Sequence, residues 1–313
     1  VTERYTIGID VGGTKILAMA VGGGIRQLSA AHEATPDDSS ELERRVAQAA
    51  AAVIDDMGRP PAAIGLGLPG FIDRRGVARQ APNLQAAIGV DLGAHLRHHL
   101  GVPVTVDNDA NCAALAARTV DAPDGDVVLA VTFGTGIGGG FVLDGRVLRG
   151  HHGFAGEPGH MVVKAGGDLC VCGQHGCWEV YASGNALGRL ARAAVDRGDA
   201  PAVLDAAGGD VTAVDGKVVA DVARAGDAAA QRVMDEYAGW VAVGLVNLVN
   251  LFDPDAIVLG GGVVADEDVF MGRVRSAVQT SVLTAGERET PLIVSSLGPE
   301  AGAVGAAILA RQH

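Results

Sequence analysis

The sequence predicts an α/β protein of two similar domains, on three observations. Apolar runs of strand length recur and end in glycine clusters, helical runs with caps separate them, and a strand–glycine turn–strand opening near residue 4 returns near residue 127. The chain has 313 residues, which suits two domains of ordinary size. Hydrophobic residues make up 48%, enough to fill real cores, and charged residues at 19% are too few for a disordered chain.

In order along the chain, Arg4 to Asp10 reads as a strand, Gly12-Gly13 as a turn and Ile16 to Val21 as the returning strand. Ser40 starts a helix, with Glu43 three residues on as a capping box. Leu42, Val46, Val53, Ile54 and Met57 keep helical spacing, and Gly58 and Pro60 stop it. Ala63 to Leu68 is a strand. Val102 to Val106 is another, running into Asp107-Asn108-Asp109-Ala110-Asn111 and an alanine-rich helix to about Arg118. The segment Asp121 to Asp126 reads as a linker. The pattern then restarts with a strand Val127 to Phe133, a glycine turn Gly134 to Gly140 and a strand Phe141 to Leu143. A long helix from Asp227 to Leu251 is expected to bury Val233, Tyr237, Trp240, Gly244, Leu248 and Leu251, and Asp253-Pro254 ends it. Ala256 to Leu259 is a strand entering Gly260-Gly261-Gly262, and Ala301 to Arg311 is helical. The region Asp196 to Val219 carries no clear pattern. The expected domains are 1–118, with the last helix (about 300–313) packing back on it, and a larger 119–299, facing each other across a cleft.

The net charge of -13 argues against nucleic acid or an anionic membrane as main partner, because either would repel the chain at long range. No apolar run approaches the roughly 20 residues that span a bilayer. Val1 to Tyr5 lack the features of a signal peptide, so a cytoplasmic setting is expected.

Three glycine patterns resemble nucleotide motifs, and each departs from them. Gly8 to Lys15 reads GIDVGGTK, but a P-loop has lysine before the hydroxyl residue and opens a helix; here Thr14 precedes Lys15 and a strand follows. Gly65-Gly67-Gly70 and Gly134-Gly136-Gly139 fit G-x-G-x-x-G, but neither is followed by the helix a dinucleotide fingerprint needs. What remains is a pair of strand-turn-strand loops whose backbone amides, with the Thr14 and Thr135 hydroxyls, suit phosphate oxygens. Either loop alone could be a plain hairpin turn.

Cys170-x-Cys172-Gly173-x-x-Gly176-Cys177 is the most specific local motif. Three thiols this close can wrap one ion, and His160 upstream can complete a tetrahedral Cys₃His zinc site. The alternative is a group of inert thiols, since three clustered cysteines cannot all pair as disulfides. Four protein ligands leave zinc no open position, so its role would be structural. Cys112 stands apart and reads as a small core residue. Asn83, Asn108, Asp109, Glu157 and Glu179 sit beside strand ends and glycine turns, where a sugar's hydroxyl groups could be met; each alone reads as a solvated loop residue, and their grouping is the signal.

Taken together, six stretches resemble the ROK family (repressor, open reading frame, kinase), in particular its bacterial glucokinases. They are Ile9 to Lys15, Asp107 to Asn111, Gly134 to Gly140, Gly156-Glu157-Pro158-Gly159-His160, the cysteine cluster through Trp178-Glu179, and Leu259 to Gly262. They run in order over essentially the whole chain. The resemblance implies an actin/hexokinase-like (ribonuclease H-like) fold and phosphorylation of glucose at its 6-hydroxyl by Mg·ATP, with Asp109 as general base. It implies sugar contacts from Gly70, Asn83, Asn108, Asp109, Glu157, His160 and Glu179. It assigns phosphates to Asp10, Gly12, Gly13, Thr14, Lys15, Thr135 and Gly136, and adenosine to Gly260, Gly261 and Gly262. His160, Cys170, Cys172 and Cys177 would hold zinc, His160 using its second ring nitrogen on a sugar hydroxyl. Thr132 stands before Gly134 with no acidic residue there, which leaves Mg²⁺ to Asp10 through water. Fructose, mannose or an N-acetylhexosamine are the alternative acceptors, polyphosphate the alternative donor, and a non-catalytic sugar sensor the alternative role. The family's repressors carry an N-terminal helix-turn-helix; with the phosphate loop beginning by Asp10, such a repressor is not expected. A homodimer or homotetramer is expected.

Overall fold

The computed structural model describes residues 4–283, 285–287 and 289–312. The chain forms two compact units, Val1–Ala130 with Gly140–Gly156 and Ser295–His313, and Val131–Gly139 with Glu157–Val294. The expected boundary near residue 118 falls inside the first unit, which runs on to Ala130 and takes back Gly140–Gly156. The reason is local: a Cβ on Gly140 would lie 2.7 Å from the Ala110 carbonyl, so this stretch is pressed against the helix after Asp109.

In the first unit, β1 (Thr6–Val11), β2 (Lys15–Val21) and β3 (Gln27–Ala34) form an antiparallel meander, and β4 (Ile64–Leu68) and β7 (Val104–Asn108) extend it in parallel, in the order β3-β2-β1-β4-β7. A separate hairpin, β5 (Phe71–Ile72) and β6 (Ala78–Gln80), follows β4. Helix α1 (Ser39–Met57) buries Leu42, Val46, Ala49, Ala50 and Val53. Its cap is Asp38, which accepts from the Glu41 N–H, rather than the expected Ser40–Glu43 box; the helix begins one residue earlier, which makes Asp38 the residue that serves its exposed amides. Gly58 in the left-handed region ends it. Helix α2 (Leu92–Leu100) precedes β7, and α3 (Asp109–Val120) follows it directly. The strand expected at Val102 starts instead at Val104 and reaches Asn108, because it pairs with the full length of β4 up to Leu68↔Asn108.

The second sheet has the same order of a meander followed by later strands. It comprises β8 (Val127–Phe133), β9 (Ile137–Leu143), β10 (Arg146–Val147), β11 (Ala256–Gly260) and β12 (Leu292–Val294). The expected glycine turn Gly134–Gly140 is shorter than it reads, since Gly138 to Gly140 belong to β9. The helices are α4 (Trp178–Ala182), α5 (Gly184–Asp196), α6 (Pro201–Ala206), α7 (Gly216–Arg224), α8 (Ala228–Phe252) and α9 (Met271–Ser281). The stretch without pattern, 196–219, is thus short helices whose breaks hide their period. In α8 the expected buried face holds at Val233, Tyr237, Gly244 and Leu248, but Leu251 is 72% exposed, because in the last turn it is Val249 that faces the core. Trp240 is only half-buried; its carbonyl accepts from the Trp178 indole N–H.

The last helix, α10 (Ala301–Leu309), belongs to the first unit and packs on β1, β4 and α3. It can do so because β1 and β4 carry glycines under it: a Cβ on Gly8 would sit 1.7 Å from the Ala303 carbonyl, and one on Gly65 1.8 Å from that of Ala306. No helix among the described residues is long and apolar enough to cross a membrane.

Candidate active site

The first unit supplies a carboxylate corner. Asp10, Gly67 and Asp107 lie in one row of register across the three parallel strands, at their C-terminal edge, where α/β sheets place ligands. Asp109 opens α3 one residue beyond β7, and Asn108 caps that helix by accepting from the Asn111 N–H at 3.0 Å. The Asn108 amide also donates to the Gly70 carbonyl at 3.0 Å, which ties the loop after β4 to the corner.

The two aspartates of Asp107-Asn108-Asp109 have different fates. Asp107 is buried and fully engaged: its Oδ2 pairs with Arg149 Nε at 2.6 Å, and its Oδ1 accepts from Asn108 N–H at 2.8 Å and Asn111 Nδ2 at 2.9 Å. Asp109 accepts from the Ala110 N–H at 2.8 Å, and among the described residues no cation pairs with it. Burial raises its carboxyl to about 6, against the opposing pull of the nearby backbone amides. Asp10 is raised to about 7, first by burial and then by the charge of Asp109, with Lys15 pulling the other way. Gly302 of α10 makes room for the Asp10 carboxylate, from whose atoms a Cβ there would lie 2.7–2.9 Å. Cys112 is fully buried behind this corner, as a core residue would be, with its thiol raised well above the usual range by burial.

The first glycine turn is closed by Gly12 N–H to the Lys15 carbonyl at 2.9 Å, and the Thr35 hydroxyl donates to the Gly12 carbonyl at 2.8 Å. Gly13, Thr14 and Lys15 are exposed. Gly13 and Asn83 are neighbours, and both line a cavity of about 350 Å³ with Asp37 and Gln85.

In the second unit, the ligand atoms of His160, Cys170, Cys172 and Cys177 all lie within 4.8 Å of one another. A hairpin brings them together, with Cys170 N–H to the Gln174 carbonyl at 2.8 Å and Trp178 N–H to the Met161 carbonyl at 2.8 Å. Three thiols and one imidazole are the donor set of a closed structural zinc site, and the residues fit that ion. His160 turns Nδ1 toward the thiols, 3.9 Å from Cys170 Sγ, which leaves Nε2 for another partner. The cluster sits between two acidic residues. Glu157 precedes the 3-10 turn Pro158–His160, and Glu179 lies in the first turn of α4. Trp178 anchors α4, fully buried against α8, where a Cβ on Gly244 would strike its ring.

Gly261, at φ 92, crosses the end of β8, where a Cβ would lie 2.4 Å from the Phe133 carbonyl; Gly260 precedes it and Gly262 follows. Gly262 lines a cavity of about 470 Å³ with Leu187, Gly216, Lys217, Met234 and Phe270. None of these partners carries a sequence motif, because they come from four separated elements. Arg149 was equally invisible, since it lies 42 residues from the Asp107 it pairs with.

With this geometry, relatives are informative. Residues 6–313 match the ROK family model. The glucokinase of Streptomyces coelicolor is 36% identical over 312 residues, covering 98% of each chain. A ROK hexokinase from Thermus thermophilus superposes with a TM-score of 0.83 at 37% identity, over 99% of this chain and 98% of that one. A ROK family glucokinase from Streptomyces griseus, solved with glucose and AMPPNP, gives 0.80 at 37% identity, over 99% and 100%. The fold is therefore of the actin/hexokinase-like class. The chain belongs to the ROK family.

Proposed function

We propose that this hexose kinase moves the terminal phosphoryl group of ATP to the 6-hydroxyl of glucose, with Asp109 as general base. The observation that carries this reading is the contrast at the corner of β7 and α3: Asp107 is consumed by Arg149 and Asn111, while Asp109 has no cation partner among the described residues and a carboxyl raised to about 6. A base ionised at neutral pH yet raised toward it is suited to take a hydroxyl proton as the new P–O bond forms.

Asn83, Asn108, Glu157, His160 and Glu179, with Gly70, are assigned to the sugar. Gly13, Thr14 and Lys15 of one turn, and Thr135 and Gly136 of the other, donate to phosphate oxygens, while Gly12, its N–H held by the Lys15 carbonyl, closes the first turn and lets the phosphate approach, so that positioning and electrostatics carry the transfer. Gly260 to Gly262, with the cavity they border, are assigned to adenosine. Asp10 would hold Mg²⁺ through water; a buried carboxylate raised to about 7 beside a second carboxylate is a site that a cation relieves. When bound, Mg²⁺ supplies charge neutralisation at the phosphates. His160, Cys170, Cys172 and Cys177 would hold zinc, which keeps Glu157 and Glu179 in place. A reducing cytoplasm is the compartment that keeps these thiols available.

A coupled assay across glucose, mannose, fructose and N-acetylhexosamines, each with ATP and with polyphosphate, tests this. Glucose with ATP is expected to give the highest kcat/KM. Turnover with no hexose would overturn the reading.

A further inference from the structure

The turn between β8 and β9 is gripped by two segments of the zinc-ligand module. Ile137, the first residue of β9, donates its N–H to Glu179 Oε2 at 2.9 Å. A Cβ on Gly136 would lie 2.1 Å from that same oxygen, so the turn comes close to the carboxylate only because residue 136 has no side chain. On the other peptide face, a Cβ on Gly159 would lie 2.2 Å from the Ile137 carbonyl, which puts the Pro158–His160 turn in backbone contact with the same residue. The second oxygen of Glu179, Oε1, lies 3.9 Å from Cys170 Sγ.

We propose that Glu179 is a positioning residue for the donor nucleotide: its hydrogen bond to the Ile137 amide sets the Thr135–Gly136 turn on which a phosphate is to rest. This rests on the sugar-kinase reading and deepens it, because one carboxylate then serves the sugar and the phosphate loop together. Backbone amides stabilise phosphate charge only when held in place beforehand. Two of the turn's donors are already used inside the protein, Ile137 N–H on Glu179 and Gly134 N–H on the Gly136 carbonyl at 2.9 Å. The phosphate is left to the Thr135 hydroxyl and to the amides of Thr135 and Gly136. A charged acceptor makes the stronger class of hydrogen bond, so losing it frees the turn at its first strand residue. A carboxylate bonded at one oxygen to this turn also transmits any pull on its other oxygen, so sugar and nucleotide are expected to alter each other's affinity by the same factor.

The test is calorimetric titration of AMPPNP with Mg²⁺, without sugar, into wild type, Glu179→Ala, Glu179→Gln and Gly136→Ala, with zinc content and Tm measured for each. Glu179→Ala is expected to weaken nucleotide binding about tenfold, the effect of a lost hydrogen bond to a charged group. Glu179→Gln keeps a carbonyl oxygen that can accept from Ile137, so its nucleotide affinity should stay within about threefold of wild type while its glucose affinity falls. Gly136→Ala should weaken nucleotide binding with the zinc ligands untouched. Zinc-replete Glu179→Ala with wild-type nucleotide affinity overturns the proposal. If Glu179→Ala loses zinc, Gly136→Ala decides, and unchanged nucleotide affinity there overturns it. Wild type that binds AMPPNP but phosphorylates no hexose overturns the sugar-kinase reading, while the nucleotide titrations still decide the role of Glu179.

Discussion

The turn between β1 and β2 is closed by its own backbone and by the Thr35 hydroxyl, inside a unit whose core is continuous strand and helix. The turn between β8 and β9 leans on Glu179, in the first turn of α4, and on Gly159, in the Pro158–His160 turn; both border the four side chains His160, Cys170, Cys172 and Cys177, which could hold a metal ion. The same strand–turn–strand motif is thus held by a folded core in one unit and, on the proposed metal reading, by a ligand cluster in the other. A core is stabilised by buried apolar area over the whole unit, whereas a cluster acts through a few donor atoms and disappears with its ion.

The sharpest break of that contrast is Asp109→Asn, which alters chemistry in the core-held unit alone. We expect kcat to fall by about 10²–10⁴-fold with zinc content and Tm retained. A variant keeping more than about a tenth of the wild-type kcat would show that Asp109 is not the base.

Cys172→Ser attacks the other unit. About one zinc per chain is expected in the wild type and none in the variant. Hydrogen exchange should rise over residues 157–179 and in the β8–β9 turn, while β1, β4 and β7 keep their protection. A fully active, metal-free protein would sink the metal-held half of the comparison.

Asp107→Ala tests the core-held half for stability. It leaves Arg149, Asn111 and the Asn108 N–H without their acceptor, and we expect a loss of about 1–3 kcal/mol in urea unfolding. An unchanged midpoint would mean that the ion pair does not hold the corner.

A smaller effect is expected from His160→Cys, which can rebuild a four-thiolate site. A thiolate on zinc accepts hydrogen bonds but cannot donate as an imidazole N–H does. Zinc should stay and the KM for glucose should rise up to about tenfold. An unchanged KM with zinc bound would reduce His160 to a ligand.

The last effect is on pH. Asp10 and Asp109 are raised in the folded protein to about 7 and about 6, above the ordinary carboxyl value of 3.8. Between that value and about 7 the folded state therefore binds more protons than the unfolded, and stability falls as pH rises through this window. Turnover should run the opposite way, falling about tenfold per unit below pH 6 as the base is protonated. Asp10→Asn should raise Tm at pH 8 and change it little at pH 4. Equal shifts at both would mean that Asp10 carries no buried charge.

Much of this was legible beforehand for a physical reason. Asp10, Asp107-Asn108-Asp109, the glycine turns and Cys170-x-Cys172…Cys177 are local in the chain, so spacing alone reveals them. The meander β1-β2 and the helix α8 were readable because period and caps are local too. The errors lie at boundaries that pairing decides: β7 runs on to Asn108 because β4 offers a partner there, and Gly138 to Gly140 join a strand despite their composition. Strand β3 and the short helices between 196 and 219 went unread because their patterns are brief or polar.

By itself the sequence determined the family, the order of its motifs and the candidate metal-ligating residues, since these depend on residue type and spacing. Only the tertiary structure showed that Asp107 is engaged by an ion pair, because Arg149 is 42 residues away from it. It also decided that Glu179 reaches back to Ile137 across 42 residues and that Gly302 makes room for Asp10. Such contacts depend on where packed elements place their side chains, and one-dimensional spacing carries no record of that.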